Sequence, residues 1–338
     1  MSSRETLAAA MAALAIALAI AAPSAGAAGK KHEARPAKEQ FGFVLGPAGA
    51  KAAPIGGYAR GCLSGGVALP INGAGYQVMR LSRNRNWGHP ALIDFLTRFS
   101  AELKSEENWP GLLIGDMSQP RGGPMLTGHK SHQIGLDADI WFKPMPSEVP
   151  LSLEDRENIE PLLLAEEKGT EVVAGNWSED FARILKRAAL HPEVERIFVH
   201  PAIKKALCAS AGEDRAWLSK VRPLFGHNYH FHVRLSCPAG MAGCVPQKEP
   251  ADDDGCGKEL ESWLKTVSRP AKAEPAETKK DSTKQVRRRE LMVSSLPATC
   301  AAILKDGSEP TLTGDAAPET AEIPLPEPRR AVTQLASP

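Results

Sequence analysis

Several patterns that carry familiar chemistry are missing from this sequence. No Gly-x-Gly-x-x-Gly or P-loop follows a strand-like segment, so Gly122, Gly123, Gly128 and Gly135 read as turn residues rather than a phosphate cradle. No Gly-x-Ser-x-Gly elbow occurs. Ser131, although next to His132, reads as a loop residue that bonds the backbone. No Cys-x2-Cys pair is present, which argues against a structural zinc knuckle. Neither sign of charge dominates: 41 Lys and Arg against 40 Asp and Glu leave +1, so nothing points to nucleic acid or to an acidic partner. There is no internal repeat, and beyond the first 22 residues no run is long and apolar enough to cross a bilayer.

What is present suffices for a folded, exported protein. The 338 residues are 42% hydrophobic, enough for a core and for one large domain or two small ones. Residues 1–28 read as a secretory signal, with Arg4 in the basic region, an apolar run from Leu7 to Ala22, and small residues Ala25, Gly26 and Ala27 for cleavage before Ala28. The rival reading, an uncleaved anchor, meets a run of about 16 residues where roughly 20 are needed. Six cysteines (Cys62, Cys208, Cys237, Cys244, Cys256 and Cys300) in an exported chain suggest disulfides, and Cys237 and Cys244 are the natural local pair.

Residues 29–40 are charged, lack apolar periodicity and read as a flexible lead-in. Glycine and proline are dense from Phe41 to Ile71, which suggests loops with short strands. Strands are expected at Tyr76–Leu81, Gly111–Met117 and Val194–His200, and helices at Ala91–Phe99, Ser152–Glu167, from Ser178 through Ala188, at Pro201–Cys208 and at Glu213–Val221. Strand and helix are mixed without clean alternation, so an α+β domain over 41–268 with a central antiparallel sheet is expected. Residues 269–338 read as a largely disordered tail in which an apolar island, Leu296–Leu304, carries Cys300 and is tied back to the domain by a disulfide.

Two short windows concentrate the chemistry. Five of the nine histidines lie in Gly128–Phe142 and Gly226–Arg234. Asp137 and Asp139 alternate with Leu136, Ala138 and Ile140, and His230 and His232 alternate with Phe231 and Val233. In strands each pair shares one face. Two such strands can hold a cation between imidazole and carboxylate, with a position left open, which is the donor chemistry of catalytic zinc. By pattern alone Asp137 and Asp139 are equivalent. His32, His89, His191 and His200 read as structural; His89 precedes a proline at a helix start, where it can cap or pack. Arg80 and Arg121 are candidates to hold a substrate carboxylate, with surface charge as the plainer reading.

The segments Ser131-His132-x-x-Gly135-x-Asp137-x-Asp139 and His230-x-His232 resemble the two halves of the zinc site of the LAS metallopeptidases, a superfamily that includes lysostaphin-type endopeptidases, D-Ala-D-Ala peptidases and the hedgehog domain. The similarity is closer to the penicillin-insensitive murein endopeptidases and extends over roughly residues 55–305. It takes in Tyr76–Arg80, Gly88–Pro90, Leu113–Met117, Arg196–Val199, Pro201–Lys204 and His230–Pro238.

The resemblance implies a hedgehog/D-Ala-D-Ala peptidase-like fold, stabilised by Cys62–Cys300, Cys208–Cys256 and Cys237–Cys244. It implies Zn(2+) held by His132, Asp139 and His232, with His230 in acid/base catalysis and His227 as a further active-site histidine. It breaks the tie between the two aspartates for Asp139 and leaves Asp137 a supporting role. His129 matches a histidine that binds an additional metal in the family; the other partners of that site do not match in Glu167–Glu171. The implied activity is hydrolysis of D-alanyl–meso-diaminopimelyl cross-links in periplasmic peptidoglycan, insensitive to penicillin, with no nucleic acid and no membrane span after signal cleavage. A D,D-carboxypeptidase or dipeptidase, and a non-catalytic zinc or peptidoglycan-binding module, are the alternatives. The sequence leaves a homodimer open.

Overall fold

The computed structural model describes residues 35–269 and 290–307; the expected signal segment and most of the expected tail lie outside them. Eleven strands are present among the described residues: β1 Ala53–Gly57, β2 Arg60–Ser64, β3 Val67–Ala68, β4 Asn72–Gly73, β5 Tyr76–Val78, β6 Trp87–Gly88, β7 Leu112–Ile114, β8 Asp137–Trp141, β9 Val194–Val199, β10 Val221–Pro223 and β11 His230–Leu235. The helices are α1 Ala37–Phe41, α2 Pro90–Glu106, α3 Leu153–Asn158, α4 Glu179–Leu190, α5 Pro201–Ser210, α6 Lys258–Val267 and α7 Ala298–Lys305.

One seven-stranded sheet, ordered β10-β9-β11-β8-β7-β5-β4, organises the molecule. Its centre, β9-β11-β8-β7, is antiparallel, while β10 beside β9 and β5 beside β7 run parallel. The α+β class and the antiparallel centre agree with the sequence. Alternation gives the sheet two faces. Ala138 and Ile140 of β8, Phe231 and Val233 of β11, and Ile197 and Val199 of β9 join the main core. That core also takes Leu92, Phe95, Leu96, Phe99 and Leu103 of α2 and Phe181, Ile184, Leu185 and Ala188 of α4, all at helical spacing. Each such large side chain contributes about 2 kcal/mol by leaving water. The opposite face carries Asp137, Asp139, His230 and His232.

Local chemistry explains the helix starts. His89 Nδ1 accepts from Ala91 N–H ahead of Pro90, and His200 Nδ1 accepts from Ala202 N–H ahead of Pro201, so both histidines cap helices whose first residue is proline. Ser178 caps α4.

The elements differ from expectation where backbone restraints intervene. Helix α3 stops at Asn158 instead of running to Glu167, because Pro161 disfavours helical backbone at Glu160. Strand β5 stops at Val78, and Arg80 takes a left-handed φ of 55°. Residues 216–220 form a 3-10 turn within the segment expected to be helical.

Residues 37–40, expected to lie in a flexible lead-in, form most of α1. Ala37 and Phe41 are buried with Ala48, Cys62, Leu296, Cys300 and Ile303 in a small second core. Phe41 packs so tightly on the chain at Gly123 that a Cβ there would stand 2.3 Å from its ring. Alternating charge therefore hid two apolar anchors. The same core receives the returning tail: Cys62–Cys300 joins α7 to β2, Ala37 N–H donates to Leu291 O at 2.7 Å, and Lys38 pairs with Glu290. Cys208–Cys256 and Cys237–Cys244 are also closed, completing the pairing that the resemblance implies. No helix among the described residues is long and apolar enough to cross a membrane.

Candidate metal centre

The register of β8 against β11 builds the site. His232 lies opposite Asp139, Arg234 opposite Asp137 and His230 opposite Trp141. His132 arrives from the loop before β8 with φ 65°, a left-handed conformation that costs a non-glycine residue roughly 1–2 kcal/mol. Two hydrogen bonds hold it there: its N–H donates to Asp137 Oδ2 at 2.9 Å, and its carbonyl accepts from Ser118 Oγ at 2.7 Å.

Three donor atoms then meet in a near-equilateral triangle. His132 Nε2 is 3.1 Å from His232 Nδ1 and 3.3 Å from Asp139 Oδ1, and His232 Nδ1 is 3.2 Å from Asp139 Oδ1. A tetrahedral cation with bonds of about 2.0–2.1 Å sets its ligand atoms about 3.3–3.4 Å apart. All three residues are buried, and Asp139 Oδ1 has no hydrogen-bond partner. His232 Nε2–H donates to Asp137 Oδ1 at 2.9 Å, which turns the ring so that Nδ1 points into the triangle, where a metal ion would take its lone pair. An orphaned carboxylate oxygen facing imidazole lone pairs at this spacing fits a metal ion. His129, His132 and Asp139 form an overlapping set with donor atoms within 4.8 Å of one another. The tighter triangle has the better spacing, because His129 Nε2 is engaged by Asp116 Oδ2 at 2.9 Å and its Nδ1 stands 3.5 Å from the other oxygen, Asp139 Oδ2.

Charge is balanced around the triangle. Burial raises the pKa of both Asp137 and Asp139, yet both stay well below the usual carboxylate range. For Asp137 the opposing cause is Arg234, helped by His232 and His132; Arg234 Nε donates to Oδ1 at 2.7 Å. For Asp139 it is His230, His132 and His129. Burial likewise raises Asp116, but His129 and the guanidinium groups of Arg85 and Arg83 outweigh it and hold it at about 2.

The other predicted histidines border the triangle. His230 is buried, its Nε2 lies 3.6 Å from Asp139 Oδ2, and its Nδ1 has no hydrogen-bond partner. Burial lowers its pKa to about 4 against the pull of Asp139, so the ring is neutral. Half-buried His227 has its ring 5.0 Å from that of His230 and 5.8 Å from that of His232. Its Nδ1–H donates to Phe225 O at 3.0 Å, leaving Nε2 as an acceptor. Tyr229 and Trp141 extend this wall: the Tyr229 ring is 4.5 Å from His230 and 6.2 Å from Trp141.

The two arginines do different work from that expected. Arg121 is buried, donating to Gly46 O at 3.2 Å and to the carbonyls of Ile303 and Leu304 at 2.9 Å each. With Nη1 it satisfies the open end of α7. Arg80 donates to Ile159 O at 3.0 Å and to Arg156 O at 3.4 Å, and its guanidinium lies 5.2 Å from the Trp141 ring centroid. It therefore braces the wall next to the site. Sequence reasoning passed over Arg234, Trp141, Tyr229 and Asp116. A signal for Arg234 was available: the alternation His230, His232, Arg234 mirrors Asp137, Asp139, Trp141. Asp116, at the end of a strand 23 residues before Asp139, gave none.

Comparison with known proteins adds a family. The penicillin-insensitive murein endopeptidase family matches residues 54–305. Relatives bearing that name include one from Haemophilus influenzae, 46% identical over 233 residues, which is 67% of this chain and 80% of the relative. One from Yersinia enterocolitica is 48% identical over 211 residues, 62% and 75% of the two chains. One from Klebsiella pneumoniae is 45% identical over 218 residues, 64% and 78%. The matched span contains both strands of the triangle and the returning helix α7, and the chain belongs to the penicillin-insensitive murein endopeptidase family.

Proposed function

We propose that this chain is a zinc-dependent endopeptidase that cuts the D-alanyl–meso-diaminopimelyl cross-links of peptidoglycan. Membership of the family supports the murein endopeptidase activity. The observation that carries the metal is the triangle of His132 Nε2, Asp139 Oδ1 and His232 Nδ1, with edges of 3.1–3.3 Å around an unpartnered oxygen. These three atoms would hold the ion. When bound, zinc supplies a Lewis acid that polarises a peptide carbonyl and acidifies water.

The chain's own groups do the rest. Neutral His230, in the site wall, accepts a proton from the attacking water at Nε2 and returns it to the leaving amine. His227, whose ring neighbours those of His230 and His232, steadies that exchange. Asp137 keeps His232 in the tautomer that leaves Nδ1 open, while Trp141 and Tyr229 shield the site from bulk water. Insensitivity to penicillin is supported by the hydroxyl next to the centre: Ser118 Oγ donates to the His132 carbonyl and has no histidine base. β-Lactams inactivate by acylating an activated serine, and this site uses none.

The reading places the protein in the periplasm, with residues 1–28 removed as a signal and residues 41–268 as the catalytic domain, to which the segment carrying Cys300 is tied. Mass spectrometry of purified cross-linked muropeptide dimers, incubated with zinc-loaded protein with and without chelator, tests it. Dimers should become monomers only without chelator, and His232→Ala should abolish the reaction. Intact dimers alongside normal metal binding would refute it. Loss of terminal D-alanine from free pentapeptides in place of dimer cleavage would reassign the chain as a carboxypeptidase.

A further inference from the structure

Three arginines crowd the turn that follows β5: Arg80, Arg83 and Arg85. Two of them serve the fold. Arg80 donates to the carbonyls of Ile159 and Arg156. Arg85 donates from Nη1 to Asp116 Oδ2 at 2.8 Å, and from Nη2 to the Thr127 carbonyl at 3.1 Å and hydroxyl at 3.2 Å. Arg83 differs. Its Nη1 donates to Asp116 Oδ2 at 3.1 Å, yet its side chain is 48% exposed against 9% for Arg85. Its Nε and Nη2 have no partner among the described residues. Those two nitrogens form an edge of the guanidinium that can grip a carboxylate through parallel hydrogen bonds. The backbone is strained to hold that edge in place. Arg83 ends a 3-10 turn, Leu81–Arg83, flanked by Arg80 and Asn84, which are left-handed with φ of 55° and 51° and are not glycine. Ser82 N–H and Oγ each donate to the Glu157 carboxylate of α3 at 2.8 Å, and Trp87 Nε1 donates to Asn84 Oδ1 at 2.7 Å. The turn is thus fixed on both sides of Arg83.

The turn stands at the mouth of the metal centre. Asp139 N–H donates to Asp116 O at 2.9 Å, so Arg83 touches the side chain of the residue beside a member of the triangle. Burial raises the pKa of the Tyr229 hydroxyl, Asp139 and Asp116 raise it further, and Arg83 and Arg80 pull it down. These four charges therefore surround the ring that borders His230 at 4.5 Å. Buried Arg85 already meets the charge of Asp116, and a further half-exposed ion pair adds little. We propose that Arg83 is a specificity-determining residue that grips, through Nε and Nη2, the carboxylate on the carbon next to the scissile nitrogen. The proposal rests on the reading of the chain as an endopeptidase for D-alanyl–meso-diaminopimelyl cross-links. In diaminopimelate each amine shares its carbon with a carboxylate, so the leaving amine of this bond has an anion beside it. A lysine in the same place forms the same amide without the anion. Arg83 thereby selects the diaminopimelyl side of the cross-link and sets its nitrogen against the centre.

The test uses the full zinc-loaded chain and two muropeptide dimers that differ in one group, one cross-linked through meso-diaminopimelate and the other through lysine. The wild type should cut the diaminopimelyl dimer with a kcat/KM about ten- to a hundredfold higher, the range of a hydrogen bond between charged groups. Arg83→Met should erase that preference, chiefly through KM, so that the two dimers are cut equally. Arg83→Lys keeps a cation beside Asp116 but not the fork, and should lose most of the preference too. Should Arg83→Met fail to fold, Arg83→Lys decides on the same ratio. A ratio unchanged in the variants, with both dimers slowed alike, would overturn the proposal and leave Arg83 a structural partner of Asp116. Equal cleavage of the two dimers by the wild type would overturn it as well. A wild-type protein that binds zinc and cuts neither dimer would overturn the endopeptidase reading itself, and this proposal with it.

Discussion

Replacing Asp137 with asparagine changes one oxygen for an amide nitrogen and should cost this protein about 4 kcal/mol. The carboxylate is fully buried and accepts four hydrogen bonds: Arg234 Nε at 2.7 Å and His232 Nε2 at 2.9 Å on Oδ1, and His132 N–H at 2.9 Å and Arg234 Nη2 at 3.4 Å on Oδ2. An asparagine has one acceptor oxygen, so whichever way it turns, its NH2 faces two donors. The buried guanidinium of Arg234 also loses its counter-charge. It keeps Gln247 Oε1 at 2.5 Å and the rings of Tyr58 and Phe198 at 4.1 and 5.2 Å, none of them charged. Leaving one buried charge unpaired costs about 3–5 kcal/mol, a large part of the 5–15 kcal/mol typical of whole domains. Urea unfolding of the metal-free protein, followed by tryptophan fluorescence, measures the loss. In an Arg234→Met background the same substitution should cost far less, because no uncompensated cation remains. A loss below about 1 kcal/mol in the wild-type background, or an equal loss in both, would refute the assignment of Asp137 as the counter-charge of Arg234.

Three further outcomes are expected. Lys204 is fully buried, donating to Leu218 O at 2.9 Å and Asp254 O at 2.6 Å, and burial, with Arg222 and Arg215, lowers its pKa to about 7 against the pull of Asp254 and Glu259. The unfolded chain holds this proton to about pH 10.4, so stability rises with pH between the two values, by about 3 kcal/mol from pH 7 to 9.5; Lys204→Met should remove that rise in paired denaturation curves. At Gly115 an added Cβ would stand 2.8 Å from Trp141 Nε1, so Gly115→Ala should displace the indole opposite His230, slow hydrolysis by about ten- to a hundredfold and leave zinc affinity unchanged in titration. Arg121→Met should destabilise the protein by about 2–3 kcal/mol and expose α7 to protease with KM unaltered; a raised KM at full stability would restore its reading as a substrate-binding residue.

The legible parts of the site are those set by local periodicity. Alternation along Asp137–Trp141 and His230–Leu235 marked both as strands with polar residues on one face, and that holds because side-chain direction in a strand depends only on position along it. Pairing depends on register, which local pattern leaves open when both strands alternate regularly. Only the register separates the aspartates physically: it sets Arg234 opposite Asp137 and His232 opposite Asp139, so one carboxylate neutralises a buried cation and the other is left with an unpartnered oxygen among imidazoles. The packing of Phe41, the place of Asp116 and the contacts of Arg121 with the tail helix were not legible, because each acts on a partner distant in sequence: Cys300, Asp139 and Leu304 respectively.

By itself the sequence determined the mixed α+β elements, the helix starts marked by His89-Pro90 and by Pro201, and the donor types of the site, because these follow from propensity, spacing and side-chain chemistry within a few residues. Tertiary structure alone decided which nitrogen of His232 faces the centre, which aspartate is buried as a counter-charge, and how Asp116 reaches Asp139. Those outcomes depend on ångström-scale distances between segments about 20 to 100 residues apart, and only packing of the sheet sets them.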